Sequence, residues 1–398
     1  MDGIDLGRIS DEEIDPGASY VPILRDEPSR FDEVHHLDHF IVGAAMRGAS
    51  DVTFQTNARP RVQINGRQHV ALRKVLVPTE MDMILGRLWR AEDGMSLLRQ
   101  SRPLDFAYEV KIDRGRRQRY RVNATGIMKG NSDGVEITMR ALPQQTPTLD
   151  SVSLEHELRP FLRPKSGIIV IAGATGQGKS TTMAALTDYH LKQEEPKIID
   201  LAAPIEFDFA DVLSERQDRA GFIGQSEIGP GRNLTSFADG VWTALRRAPA
   251  IINVGESRDR ETMTAAIEAC LTGHLVNTTT HAGSVAEALR RMASVFPAEE
   301  REGRSFDLIT SLQICIVQHL IRTGDERGRV PVREYLIFDE AVRSRFTSSR
   351  VDDWPGVVAD LMDNAGHDTA RPLKDHARQL LSEGKITENE ARRFLPRN

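Results

Sequence analysis

The sequence predicts an α/β protein in two parts: an α+β module, then a larger domain alternating strand and helix around a mainly parallel sheet and ending in a helical tail. Three observations predict it. Residues 173–181 read Gly-Ala-Thr-Gly-Gln-Gly-Lys-Ser-Thr, between the apolar run 167–172 and a helix-like run, 181–191. After residue 150, apolar runs of strand length alternate with helical periods. Before residue 143, short strand-like runs and turns lie among helical stretches instead.

In order along the chain, residues 1–30 are acidic, broken by Pro16, Pro22 and Pro28, and read as a flexible arm. Leu37, Phe40, Ile41 and Ala44 then follow helical spacing up to Gly48. Residues 51–55 and 61–64 read as strands joined through Pro60, with a turn at Asn65-Gly66. A helix near residues 80–90 precedes strands at 106–112, 119–124 and 135–140, which completes a module over 31–143. Pro143, Pro147 and two glutamines mark a linker, 144–153. The larger domain, 154–368, has strands expected at 168–172, 197–201, 251–254, 275–279 and 314–321. The tail, 369–398, reads as one or two short helices with an apolar patch of Ala377, Leu380 and Leu381.

A chain of 398 residues easily buries a core, so it needs no staples. Its two cysteines, Cys270 and Cys315, sit in apolar stretches and read as core residues in a reducing compartment. The net charge of -6 argues against a surface that tracks nucleic acid throughout, and no direct nucleic-acid partner is expected. No apolar run approaches the ~18 residues that span a bilayer, and residues 1–16 lack a signal-peptide pattern. The expectation is a cytoplasmic protein that docks on a membrane machine.

The chemistry starts at residues 173–181. Gly173, Gly176 and Gly178 let the backbone curl around phosphate oxygens at a helix N-terminus, with Ala174, Thr175, Gln177 and Thr181 completing the loop. Lys179 reaches the β- and γ-phosphates and Ser180 ligates Mg²⁺, which points to ATP or a related triphosphate as the bound species. Such a loop needs a carboxylate past a neighbouring buried strand. Glu256, after Ile251-Ile252-Asn253-Val254-Gly255, supplies it, the bland alternative being a helix cap through Ser257 and Asp259. Glu206, in Pro204-Ile205-Glu206, is a second carboxylate that ordinary turn chemistry explains equally well.

His274 and His281 flank the strand 275–279 and read as phosphate sensors or as ordinary strand-end histidines. His35, His36 and His39 form another cluster, on a helix face, with no further metal ligand nearby. Arg117, Arg119 and Arg121 alternate on one strand face, opposite Tyr120 and Val122. That face is solvated, or meets nucleotide phosphate, or binds nucleic acid.

With these residues in hand, the chain resembles the hexameric secretion ATPases of the PilT superfamily, especially the DotB- and TraJ-type ATPases of type IVB secretion and conjugation. The resemblance spans about residues 35–365. It is carried by Ala49-Ser50-Asp51 with Arg61-Val62-Gln63-Ile64-Asn65-Gly66, by Arg119-Tyr120-Arg121-Val122-Asn123, and by the loop 173–181. Pro204-Ile205-Glu206, Gly255-Glu256-Ser257-Arg258-Asp259 and Thr272-Gly273-His274 through His281 match the aspartate, Walker B and histidine boxes.

The resemblance implies a PAS-like first domain, a RecA-like ATPase domain, a homohexamer and partners in an inner-membrane secretion or conjugation complex. It implies Glu256 as catalytic base and Glu206 as ligand of Mg²⁺ or water. Arg119, Arg121 and Arg140 become γ-phosphate contacts, and His274 and His281 couple phosphate state to domain motion. One departure stands out: Ala202-Ala203 replace the first two acids of the usual Glu-Asp-Pro-x-Glu.

Overall fold

The computed structural model describes residues 4–10, 18–31, 34–113, 116–193, 196–209, 212–213, 221–229, 232–325, 328–364 and 369–395. The chain divides into two units, Met1–Gln145 and Thr146–Asn398, with the boundary inside the expected linker.

The first unit is one antiparallel sheet with helices. Its elements are α1 (Val34–Met46), β1 (Ala49–Gln55), β2 (Arg61–Ile64), β3 (Arg67–Val70), α2 (Pro78–Trp89), α3 (Gly94–Arg99), β4 (Leu104–Lys111), β5 (Arg117–Lys129) and β6 (Ser132–Ala141). The sheet order is β3-β2-β1-β6-β5-β4. Alternation places Gln118, Tyr120 and Val122 of β5 inside and leaves Arg117 and Arg121 exposed, as period-2 spacing requires. One buried cluster, with Phe40, Phe54, Leu85, Tyr120 and Ile137 among its members, forms the core.

The first 30 residues depart from the expected flexible arm. Among those described, Ile9, Val21, Ile23 and Leu24 are buried in that same core. Val21 N–H donates to the Val70 carbonyl at 2.9 Å, and Val70 N–H to the Ser19 carbonyl at 2.8 Å, so the segment pairs with the β3 edge. Scattered aliphatic side chains and backbone pairing dock the segment, whereas its prolines and acids suggest disorder. Pro16 and most of the acidic stretch lie outside the described residues.

The second unit is built on a sheet ordered β14-β13-β12-β7-β11-β10-β8-β9. Its elements begin with β7 (Gly167–Ala172), α4 (Lys179–Gln193), β8 (Lys197–Ala202), β9 (Phe222–Glu227), α5 (Phe237–Leu245), β10 (Ile251–Val254), α6 (Arg260–Leu271) and β11 (Leu275–Thr280). They continue through α7 (Val285–Ser294), α8 (Ala298–Ser311), β12 (Leu312–Arg322), β13 (Arg329–Ile337), α9 (Glu340–Thr347), α10 (Trp354–Asn364), β14 (Ala370–Arg371), α11 (Leu373–Ser382) and α12 (Glu388–Ala391). The run from β12 to β9 is parallel, whereas β13 and β14 are antiparallel.

The expected linker is not free chain. Leu149 and Leu154 are buried in a core cluster with Leu158 and Ile169, and the Thr148 and Ser151 side chains cap one turn. In the tail, Ala377 and Leu380 pack with Ile321, Val332 and Ala391.

Candidate active site

All six residues of β7 are buried, flanked in parallel by β11 and β12. Burying each Ile or Val side chain contributes roughly 1.5–3 kcal/mol, which anchors the loop that follows. That loop is 173–178, and Lys179 starts α4. Gly176 and Gly178 sit at φ +77° and +76°, and a Cβ on Gly173 would meet the Gln318 carbonyl oxygen at 2.7 Å. The sequence therefore needs glycine there for two reasons, left-handed backbone and close approach.

The Lys179 ammonium folds into the loop and donates to the carbonyls of Gly173 at 2.8 Å and Ala174 at 3.0 Å. Burial pushes its pKa below the ordinary lysine value, while the negative charge of Glu256 pulls it back up. Ser180, the second residue of α4, is exposed beside it.

Glu256 stands two residues past β10, on the sheet edge where β7 delivers the loop. Gly255 N–H donates to the Leu201 carbonyl at 2.8 Å, and Thr279 Oγ1 donates to the Gly255 carbonyl at 2.6 Å. The turn is therefore fastened to both neighbouring strands. His281 Nε2 lies 3.2 Å from Glu256 Oε1, and Arg258 Nη1 lies 3.8 Å from Oε2. The carboxylate keeps a side-chain exposure of 24%, open to water with His281 beside it. The cap of α6 is made by Asp259, whose side chain accepts from Thr262 N–H, and not by Glu256 itself.

Glu206 follows β8 on the same edge, half-buried. His274 does not join this edge. It precedes β11, whose Leu275 is level with Gly167 at the start of β7, so it lies about 20 Å from the loop at ~3.3 Å per strand residue. Its Nδ1 donates to the Ala269 carbonyl at 3.0 Å. The two ends of one strand lie on opposite edges of a sheet, so only His281 meets the carboxylate.

The arginines belong to the first unit. Arg121 and Arg140 are cross-strand partners, with Asp51 2.8 Å from Arg140 and Asp105 3.8 Å from Arg121. Arg117 pairs with Glu109 at 2.6 Å. Arg119 is half-buried on the same face. Carboxylates thus supply much of the counter-charge that this face requires.

The loop, its lysine and the carboxylate fit a nucleoside triphosphate.

The family model described as type II/IV secretion system protein matches residues 32–396. The chain belongs to that family. Among solved structures it is similar to the Legionella pneumophila ATPase DotB, at 34% identity over 94% of this chain and 98% of that one, with a TM-score of 0.81. It is also similar to the pilus retraction motor PilT with bound ADP, at 29% identity over 90% and 96% of the two chains and a TM-score of 0.76. A twitching motility protein of Neisseria gonorrhoeae is 30% identical over 82% of this chain and 83% of its own length. The fold and the P-loop are those of a PilT-superfamily ATPase with a RecA-like unit.

Sequence reasoning missed the polar residues that brace this ATPase site from within the sheet. Asn253 Nδ2 donates to Thr187 Oγ1 at 2.8 Å, and Asn277 Nδ2 donates to Asn253 Oδ1 at 3.0 Å. Asp200 is level with Asn253 on β8, and its Oδ2 accepts from Gln225 Nε2 at 2.9 Å. Burial raises the pKa of Asp200 above the ordinary carboxylate value. Polar residues within otherwise apolar strands were the available signal.

Other candidates resolve as structural. Cys270 and Cys315 are buried, and burial pushes the Cys270 thiol up to about 12. His39 Nε2 accepts from Asp5 N–H at 3.0 Å, so its Nδ1 carries the proton donated to the His35 carbonyl at 2.6 Å. Among the described residues no His, Cys, Asp or Glu cluster could hold a metal.

Proposed function

We propose that this chain is an ATP-hydrolysing motor subunit, working as a homohexameric ring on a type IVB-like secretion or conjugation apparatus. The observation that carries the enzymatic part is Glu256, held by His281 on the sheet edge that delivers the Lys179 loop. Glu256 orients water and accepts its proton, and His281 keeps the carboxylate in place. Lys179 supplies a positive charge that stabilises the negative charge on the phosphate oxygens. Arg119, Arg121 and Arg140 serve as γ-phosphate contacts in this reading, and hydrolysis releases them. Glu206 acts alone where Ala202-Ala203 offer no carboxylate.

The similarity to DotB supports the type IVB setting. No helix among the described residues is long and apolar enough to cross a membrane, which suits recruitment to the cytoplasmic face of a bacterial inner membrane by partner proteins. The similarity to the pilus retraction motor PilT favours a second reading, in which the same cycle withdraws a fibre.

Sedimentation of Glu256→Gln with saturating ATP tests the ring. A mass near six times 44.4 kDa is expected, and a monomer would overturn it. Deleting the gene in its host separates the two settings. Loss of conjugation or effector export supports the first, and loss of surface motility alone supports the second.

A further inference from the structure

The catalytic reading leaves one connected set of buried side chains unused, running from the P-loop to the segment 152–155. Gln318 and Arg333 stand directly opposite one another on β12 and β13, each 1% exposed. Both ends of the Gln318 amide are engaged. Its Nε2 donates to the Gln177 carbonyl at 2.5 Å, while its Oε1 accepts from the Thr182 hydroxyl at 2.8 Å and from Arg333 Nε at 3.2 Å. Leu320 N–H donates in turn to Gln177 Oε1 at 2.5 Å, so β12 grips the P-loop glutamine by main chain and side chain.

Beyond Gln318, the guanidinium of Arg333 reaches the entry segment. Nη1 donates to the Ser153 carbonyl at 2.6 Å and Nη2 to the Val152 carbonyl at 2.7 Å, with Glu155 Oε2 3.4 Å away. Arg371 and His376 also meet Glu155. Burial alone would raise the Glu155 carboxyl, but Arg333 and Arg371 hold it below the ordinary range. A buried guanidinium is costly unless its donors are taken, and these are divided between the amide that holds the P-loop and the carbonyls of 152–153. A cleft of about 340 Å³, lined by Asp150, Ser153, Glu155 and Gln379 among others, leaves that segment room on one flank.

We propose that Gln318 and Arg333 are positioning residues that couple nucleotide occupancy of the loop 173–181 to the placement of Val152–Glu155, where the chain enters the ATPase unit. The proposal rests on the reading that nucleotide seats in this loop. The β12–β13 backbone pairing runs from Ile314 to Arg322 and fixes the two strands, so a shift of the Gln177 carbonyl is taken up by these side chains. The Gln318 amide cannot turn without giving up Thr182 and Arg333 together. Arg333 then follows, or releases the two carbonyls.

Hydrogen exchange on the full chain, with and without saturating ADP, tests this alongside a titration with a fluorescent ADP. The amides of Val152, Ser153 and Leu154 are bonded to the carbonyls of Thr148, Asp150 and Leu149, so their exchange reports local opening. ADP is expected to change exchange across 152–155 several-fold in the wild type. Gln318→Met keeps the volume and removes the amide. It should lose most of that response while ADP still saturates, with affinity roughly tenfold weaker, the effect of losing the one amide bond that goes to the loop. Arg333→Lys should lose the response with little change in ADP affinity.

An undiminished response in Gln318→Met and Arg333→Lys would overturn the proposal. A wild type that binds ADP without any response overturns the proposal alone. One that fails to saturate overturns the nucleotide reading, and the proposal with it.

Discussion

Gly176 and Gly178 share a left-handed backbone and differ in their surroundings. A Cβ on Gly176 meets nothing within 4 Å, whereas one on Gly178 would lie 3.1 Å from Leu320 Cδ1 and 3.2 Å from Gln318 Nε2. Gly176→Ala should therefore cost only about 1–2 kcal/mol of backbone strain and leave ADP binding measurable. Gly178→Ala adds pressure on the amide that holds the loop, so its ADP affinity in a fluorescence titration should fall more than tenfold below that of Gly176→Ala. Equal affinities would mean that the contact with Gln318 is immaterial. At this scale the sequence was most legible where residues are contiguous. Gly173 to Thr181 and Glu256 announce themselves through spacing and flanking strands. Gln318 and Arg333 meet only through the register of β12 with β13, which no local pattern encodes.

At the scale of elements, polar side chains brace the middle of a parallel sheet. Asp200, Asn253 and Asn277 share one level across β8, β10 and β11. Burial raises the folded-state pKa of Asp200 above its ordinary 3.8, so the folded chain holds that proton more tightly than the unfolded chain does. The stability this contributes is fully present below pH 3.8 and is lost as pH rises through the folded pKa. Asp200→Asn removes the titration. The difference in melting temperature, variant minus wild type, should grow in favour of Asn as pH increases from about 4 towards neutrality. A difference independent of pH would contradict the assignment.

Strand legibility followed burial and charge in the same way. The apolar β7, β10 and β11 lie where the sequence predicts strands. β13 escaped because Pro331, Arg333 and Glu334 interrupt its apolar pattern, and the structure buries both charges with partners. β9 escaped because it is a half-exposed edge strand with few apolar residues.

At the scale of the whole molecule, each unit owns its core. The first unit's cluster runs from Ile9 to Met139, and the second unit's clusters run from Leu149 to Ala391. Each should fold alone. The fragment 146–398 is expected to bind ADP, because the whole loop and its brace lie within it. It should hydrolyse ATP far more slowly than the full chain, because the proposed arginine contacts lie in the other unit. Full turnover by that fragment would remove Arg119, Arg121 and Arg140 from the mechanism. The boundary at Gln145 was legible from Pro143 and Pro147, but the docking of residues 18–24 was not, because isolated aliphatic residues carry no period.

The most direct measurement is steady-state ATP hydrolysis by the purified full chain beside Glu256→Gln and Lys179→Ala. Wild-type turnover should fall by roughly 10²–10⁴ in Glu256→Gln, the range for loss of a general base, with ATP still bound. Lys179→Ala should lose both turnover and most nucleotide affinity. Wild-type turnover retained by Glu256→Gln would contradict the account, since the carboxylate held by His281 would then not be the group that activates water.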